Sequence, residues 1–418
     1  VATRGLLHFT VLTAAITLAS CASVRPPAGD VAEEQAQSQV KKEGAGVERA
    51  TATGESFLDD TAAPDLALIL REKGLSQLES QRTLVRKSER SRLQFRGARR
   101  PLADIVLPPP KGENDLRIHF LPVGAGVCQL VECPGRDGVP MLVDCGSTRV
   151  VAGIDWTQDA VSSYIQGILK GRQVNVVVSH PDADHYKFIP GAIPATQVHS
   201  LWMGGHHGDY PASFLDWANQ VRDLGTASSP RVMEPFPVNW HNDGYAVAGL
   251  SCGVANTYVV GVNNGTTKND HSLMLSIDYG DFRALFPGDA TGVSQDAAVA
   301  NFPGDYLYST VLVASHHGAD SHGSNNERWA NATLPQYVVY PSGASYGHPR
   351  CNVVETYRAI DQLVPADSHG LACGMTGGTY DTEASELGEY NTHQSGAIII
   401  TSDPAAQPVE VLCLPNGC

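Results

Sequence analysis

The densest chemistry in this chain lies in six consecutive residues, His180-Pro181-Asp182-Ala183-Asp184-His185, which offer two imidazoles and two carboxylates. They follow Val174-Asn175-Val176-Val177-Val178, an apolar run that reads as a buried strand. Residues just past a strand's C-terminal end fall where α/β architectures place their ligands. In a nearly extended segment alternate side chains share a face, so His180 and Asp182 can grip one cation while Asp184 and His185 turn toward a second. The competing reading is a solvated turn rich in Asp and His, and three downstream signals weigh against it. Leu285-Phe286-Pro287-Gly288-Asp289 closes the apolar segments Ser272 to Ile277 and Phe282 to Phe286 with an Asp where a strand should stop. Val311-Leu312-Val313-Ala314 runs into Ser315-His316-His317-Gly318, and Val338-Val339-Tyr340 leads through a turn to Tyr346-Gly347-His348-Pro349. Four strands that each deliver His or Asp at the same end would assemble one pocket.

The ordered series His-Asp, Gly-Asp, His-His-Gly and Gly-His-Pro resembles the metallo-β-lactamase superfamily, and within it the C-terminal domain of the ComEC competence proteins. Phosphorylcholine esterases of that superfamily are similar too. The resemblance spans roughly Asp115 to Ile400, opening with Ile118-His119-Phe120-Leu121-Pro122-Val123-Gly124-Ala125-Gly126 and continuing through Met141-Leu142-Val143-Asp144-Cys145-Gly146. It departs at Pro122, where the family has Asp, at Val127-Cys128 in place of Asp-Ala, and at Tyr186 to Pro190 in place of Ile-Gly-Gly. These changes bear on the pocket edge and the substrate more than on the metal ligands.

The resemblance implies a four-layer αββα sandwich with two mixed β-sheets and the metals at one edge. Carried over by position, His180, Asp182 and His316 would bind one ion, Asp184, His185 and His348 a second, and Asp289 would bridge them. Three carboxylates and one hydroxide would bring two divalent cations to about neutrality. Zinc is the first expectation for the ions and manganese the second. The implied reaction is hydrolysis by a water activated at the metals, with Asp184 and His317 as catalytic residues, His317 donating a proton or hydrogen bond to the developing oxyanion. A packing role for His317 stays open. His271 sits where other branches place a further ligand. His206 and His207, after the expected strand Val198 to Met203, either line the entrance or belong to a solvated loop. Tyr346 either touches substrate or packs.

The chain start carries an address. Arg4, the apolar stretch from Leu6 to Leu18, and Leu18-Ala19-Ser20-Cys21 read as a secretory signal too short to span a bilayer comfortably. Residues 1–21 resemble a bacterial lipoprotein signal, which implies lipidation of Cys21 and anchoring in the periplasm, at an outer membrane or at the cell surface. An ordinary cleaved signal is the alternative. Val1 fits a start codon translated literally, and hence an expected complete reading frame. Setting Cys21 aside leaves eight of the nine cysteines, an even number suited to an oxidising compartment. Folding a hairpin at Gly135-Arg136-Asp137-Gly138 places Cys128 roughly opposite Cys145; the other six are not assigned. No tight Cys-x-x-Cys spacing points to a cysteine metal site.

Residues 22–112 read as a tether. The first part is rich in Ala, Glu, Gln, Gly and Pro, and Pro64 to Arg100 combines helical Leu spacing with a basic run. That run is either a solvated helix or an arm for anionic surfaces. Residues 113–418 remain for one hydrolase domain, with expected helices Ala160 to Leu169, Ala212 to Leu224 and Val353 to Leu363. Late strands Ala397 to Thr401 and Val409 to Leu412 are expected to close the second sheet. The chain carries a net charge of -15, and its slightly basic first 114 residues leave about -17 on the rest. An acidic domain is a poor track for extended duplex, and a short, single-stranded or mononucleotide-sized phosphoester suits it better. The expected function is therefore an exported dinuclear phosphodiesterase or nuclease acting on nucleic acid or a nucleotide. The alternatives are a phosphoesterase for cell-envelope polymers, a β-lactam hydrolase, or a non-catalytic surface binding module. No obligate protein partner is evident.

Overall fold

The computed structural model describes residues 107–418 except 235, 242–246, 248, 376–378, 404–405 and 416–417. The segment read as a signal, Cys21 and all but the last residues of the expected 22–112 tether therefore lie outside the described residues. Strand β1 (Leu116–Phe120) alternates Leu116, Ile118 and Phe120 on one face with Arg117 and His119 on the other, the period-two pattern of a sheet residue set. Strands β2 (Cys128–Glu132), β3 (Met141–Cys145), β4 (Val174–Val178), β5 (Val198–Met203) and β6 (Val232–Met233) follow in sequence. The second half supplies β7 (Asn256–Gly261), β8 (Met274–Tyr279), β9 (Phe282–Phe286), β10 (Val311–Val313), β11 (Tyr337–Tyr340), β12 (Pro365–Gly374), β13 (Tyr380–Leu387), β14 (Glu389–Asn391), β15 (Ala397–Asp403) and β16 (Ala406–Leu414).

These strands build an eight-stranded sheet in the order β16-β15-β1-β2-β3-β4-β5-β6, a six-stranded sheet β14-β11-β10-β9-β8-β7, and the hairpin β12-β13. Both large sheets are mixed. In the first, β3 to β6 run parallel and β15 to β3 pair antiparallel; in the second, β9, β10, β11 and β14 are parallel. Ile118, Phe120, Val143 and Val177 of the first sheet pack with Leu275, Phe286, Val313 and Val339 of the second in one apolar cluster, so the sheets lie face to face. On the outer face of the first, Leu142, Val176 and Leu201 meet helices α1 (Gln158–Leu169) and α2 (Ala212–Asp223). On the outer face of the second, Leu285, Leu312 and Val338 meet α3 (Gly292–Asn301), α4 (Glu327–Thr333) and α5 (Cys351–Arg358). The result is the expected four-layer αββα sandwich.

Burial on both faces explains the Val-rich sequence of β4, all five of whose residues are buried. Its one polar member, Asn175, accepts from Ser200 Oγ at 2.7 Å and donates to Ser251 O at 3.0 Å. One expectation is corrected: β15 and β16 extend the first sheet, not the second. Ile398 to Ile400 pair antiparallel with Ile118 to Phe120, and the chain's return to β1 gives that strand a partner on its open side. The second sheet is bounded by β14 and β7 instead.

All eight described cysteines are paired. Cys128 faces Cys145 across β2 and β3 and is bonded to it, as the hairpin reading expects. The other pairs are Cys133–Cys252, Cys351–Cys373 and Cys413–Cys418. Cys133–Cys252 closes 119 residues of sequence, a loop for which chain entropy alone offers about 5 kcal/mol. Four such bonds are the usage of a protein outside the reducing cytosol. Among the described residues no helix is long and apolar enough to cross a membrane.

Behind β1, His119 is fully buried between Tyr164 of α1, 2.8 Å from Nδ1, and Glu132 of β2, 3.0 Å from Nε2. Burial holds its pKa below the usual imidazole value despite the opposing pull of Glu132. The folded protein thus resists a proton that the unfolded chain takes up near pH 6.5, so stability should fall as pH drops through that region. Denaturant titrations of wild type and His119→Gln from pH 7.5 to 5 should show the variant losing less stability on acidification; parallel losses would remove His119 from the account.

Candidate metal centre

Parallel strands put their C-terminal ends on one edge, and here the two sheets share it. From β4 come Ser179, His180 and the short helix Ala183–Tyr186; from β9, Gly288 and Asp289; from β10, His316 and His317; from β11, the loop to His348. Close approach of these loops requires glycine. Gly288 has φ +58°, and a Cβ on it would stand 2.6 Å from Ser179 Cβ, so only a residue without a side chain lets the β9 loop reach the β4 loop.

Asp289 is the hub. It is 4% exposed, and four imidazole Nε2 atoms face its carboxylate: His185 at 3.1 Å from Oδ1, and His316, His317 and His180 at 3.7, 3.7 and 3.8 Å from Oδ2. Asp182 Oδ2 lies 3.5 Å from His180 Nε2, and Asp184 Oδ2 lies 3.4 Å from His317 Nε2. Donor atoms sharing a cation at about 2.1 Å stand roughly 3 to 4 Å apart, so these spacings are those of a coordination shell. In two overlapping groups of three, His180, His185 and Asp289, and Asp184, His185 and His317, the ligand atoms all lie within 4.8 Å of one another.

The rings are held from behind so that one nitrogen of each faces inward. His185 Nδ1–H donates to Asp144 Oδ2 at 2.9 Å, and the same carboxylate accepts from the Ser179 amide at 2.7 Å and its hydroxyl at 2.8 Å. His317 Nδ1–H donates to Pro341 O at 2.8 Å, and His180 Nδ1 lies 3.0 Å from Ser179 Oγ. The inward Nε2 atoms of His180, His185 and His317 are buried and make no aligned hydrogen bond, and His348 Nδ1 is likewise orphaned. Buried nitrogens without partners are costly unless something binds them. Imidazole and carboxylate donors suit a divalent metal, and the backing hydrogen bonds are those that orient metal-ligating histidines. The residues fit such a group.

Charge agrees. Burial would raise the Asp184 carboxyl, yet His317 and His185 carry it down to about 2, and His185, His317 and His316 hold Asp289 well below the usual range against the same burial. Both are ionised near neutrality. Burial, with His317, His316 and Arg350 beside it, pushes His348 down to about 3, so that ring is neutral and can lend a lone pair.

The geometry departs from the expected grouping in one respect. His317, expected to donate a proton, has its Nδ1–H committed to Pro341 and its Nε2 among Asp184, His185 and Asp289, the place expected for His348. His348 lies 6.0 Å from His316 and 6.5 Å from His317 between ring centroids, beside the cluster but in neither group of three. The cause is backbone: consecutive left-handed residues, φ +49° at His316 and +57° at His317, turn both side chains toward Asp289 where an extended segment would send them apart. His271 lies outside both groups, its Nε2 3.2 Å from Gly265 O and its ring 4.5 Å from exposed His206. His207 is exposed and pairs with Glu234. The sequence reading left Asp144 without a role, although Asp at the end of the apolar run Met141 to Cys145 repeats the signal that marked Asp289. Lys268, 3.6 Å from Asp182, also carried no sequence signal.

All three donors at Asp144 aim hydrogens at it, so an acceptor-only carboxylate is required. Asp144→Asn should turn an amide N–H toward two of them and lower metal affinity about 10- to 100-fold, read by competition with a chromophoric chelator on protein of unchanged circular dichroism. Affinity within twofold of wild type would deny Asp144 this role.

No family model matches the chain. It is 25% identical over 254 residues to competence protein ComA of Neisseria gonorrhoeae, a match covering 60% of this chain and about a third of that protein's length, 31%. Among solved structures it is similar to the metallo-β-lactamase fold protein YhfI from Bacillus subtilis, with 14% identity, a TM-score of 0.37, and coverage of 68% of this chain and 98% of that one. It is also similar to CmlA, a diiron β-hydroxylase from Streptomyces venezuelae, with 15% identity, a TM-score of 0.35, and coverage of 61% and 50%. The paired mixed sheets, the helices on both outer faces and the loop-borne His and Asp set at one shared edge make the described domain a four-layer αββα sandwich, the architecture that the resemblance to the metallo-β-lactamase superfamily implies, and its sequence is similar to that of a competence protein.

Proposed function

We propose that the domain is a dinuclear metal-dependent phosphodiesterase, with single-stranded nucleic acid or a nucleotide as its substrate class, working outside the cytosol on a chain held by lipid at Cys21. The observation that carries this reading is Asp289, a buried carboxylate faced by four imidazole nitrogens from two other loops. Two divalent ions held there, zinc first and manganese next, would supply Lewis acidity toward a phosphoryl oxygen and lower the pKa of water near them. The protein's own groups do the positioning. Together with Asp289, the set His180, Asp182 and His316 would hold one ion and the set Asp184, His185 and His317 the other, each set offering imidazole and carboxylate donors. Asp144 and Pro341 O fix the tautomers of His185 and His317, so neither ring reorganises on binding. Lys268 beside Asp182 and Arg350 near His348 offer cations at the rim for non-bridging phosphate oxygens. The acidic balance of the remaining surface favours a short or single-stranded ester over long duplex.

The deciding assay gives the purified protein zinc or manganese and compares bis-p-nitrophenyl phosphate with p-nitrophenylphosphorylcholine and a chromogenic β-lactam. Turnover of the first, abolished by chelation, is the expected result. Asp289→Ala and Asp184→Ala should each lower kcat/KM at least 10³-fold and lose bound metal. A variant that keeps two ions and full turnover contradicts the assignment, and preference for the choline ester moves the substrate to envelope polymers.

A further inference from the structure

The loop from β11 to α5 carries an aromatic ring that the protein does not use for packing. Tyr346 is 66% exposed, although tyrosine normally covers much of its ring. Its backbone is left-handed at φ +66°, where a bulky residue is strained and Gly or Asn would sit at less cost. Nothing about the loop is loose enough to explain this by default. Gly347 N–H donates to Tyr380 Oη at 2.9 Å, Gly374 N–H donates to Pro349 O at 2.7 Å, and Cys351 is bonded to Cys373 of β12. Gly374 approaches so closely that a Cβ on it would meet Gly347 O at 2.1 Å. A rigid loop thus holds a strained backbone and keeps a large ring in water, the pattern of a residue retained for contact with a ligand.

Its position says what kind of ligand. The Tyr346 ring lies 6.5 Å from His348 with planes 29° apart, and His348 lies 6.5 Å from His317 with planes 20° apart. Three nearly parallel rings lead outward from the metal centre, and Tyr346 is the one open to solvent. We infer that Tyr346 is a specificity-determining residue that stacks on a nucleobase next to the scissile phosphodiester, so the substrate is single-stranded nucleic acid with unpaired bases. This rests on the phosphodiesterase reading. Stacking tolerates any base because every base has a π-face, and a duplex, whose bases are already stacked, gains nothing from the ring.

The test uses the full chain as wild type, Tyr346→Ala, Tyr346→Phe and Tyr346→Gly, with a short labelled oligothymidylate and an abasic strand of equal length. Anisotropy in the presence of chelator reads binding without turnover; kcat and KM follow with metal restored. Wild type and the Phe variant should bind the base-bearing strand more tightly than the abasic one. Tyr346→Ala should raise Kd and KM for the base-bearing strand about 10-fold, leave kcat within about twofold, and leave the abasic strand unaffected. Tyr346→Gly should bind as poorly while melting no lower than wild type, because glycine relieves the left-handed strain. Equal affinity of wild type for both strands, or equal weakening of both by the Ala variant, overturns the inference. Base-dependent binding that Tyr346→Ala removes, without cleavage by any metal form, leaves Tyr346 as a base-stacking residue and refutes the phosphodiesterase reading instead.

Discussion

A carboxylate sealed among imidazoles is the constraint around which this domain is organised. Asp289 cannot lie ionised at 4% exposure unless positive charge lies close, and three of the four nitrogens that face it, those of His180, His185 and His317, are buried without a partner. Protons can satisfy the cluster partly, as the upward shifts of His185 and His317 indicate, burial notwithstanding. Divalent cations satisfy it fully, because they meet the nitrogen lone pairs and the carboxylate charge together. The rest of the edge serves that demand. Parallel strands bring four loops to one place, Gly288 lets two of them touch, and Asp144 and Pro341 aim the rings.

Much of this was legible in the chain because the signals were local. Val174 to Val178 followed by the His180 block, and Val311 to Val313 followed by His316 and His317, combine a buried strand with polar residues at its end, and a strand's two covered faces leave nowhere else for those side chains to go. The Cys128–Cys145 bond followed from hairpin geometry alone. Four-layer packing needed the resemblance as well, since short apolar runs do not say which sheet they join.

What could not be read depended on backbone conformation or on distant pairing. That His316 and His317 both turn inward requires two consecutive left-handed residues, and neither histidine announces that preference. The placement of β15 beside β1 unites residues 278 to 286 positions apart, and Ile398 to Ile400 would suit the edge of either sheet equally well. Asp144 was visible as a strand-end carboxylate, yet its role appears only once Ser179 and His185 are seen to converge on it.

The cysteine bonds carry a consequence for how the domain must be made. Cys145 is the neighbour of Asp144, and Cys351 follows the His348 loop by three residues, so two covalent ties sit directly behind the ligand-bearing edge. Synthesis in a thiol-rich cytoplasm would leave both open, and a preparation poor in bound metal would then reflect its folding history and say nothing of intrinsic affinity.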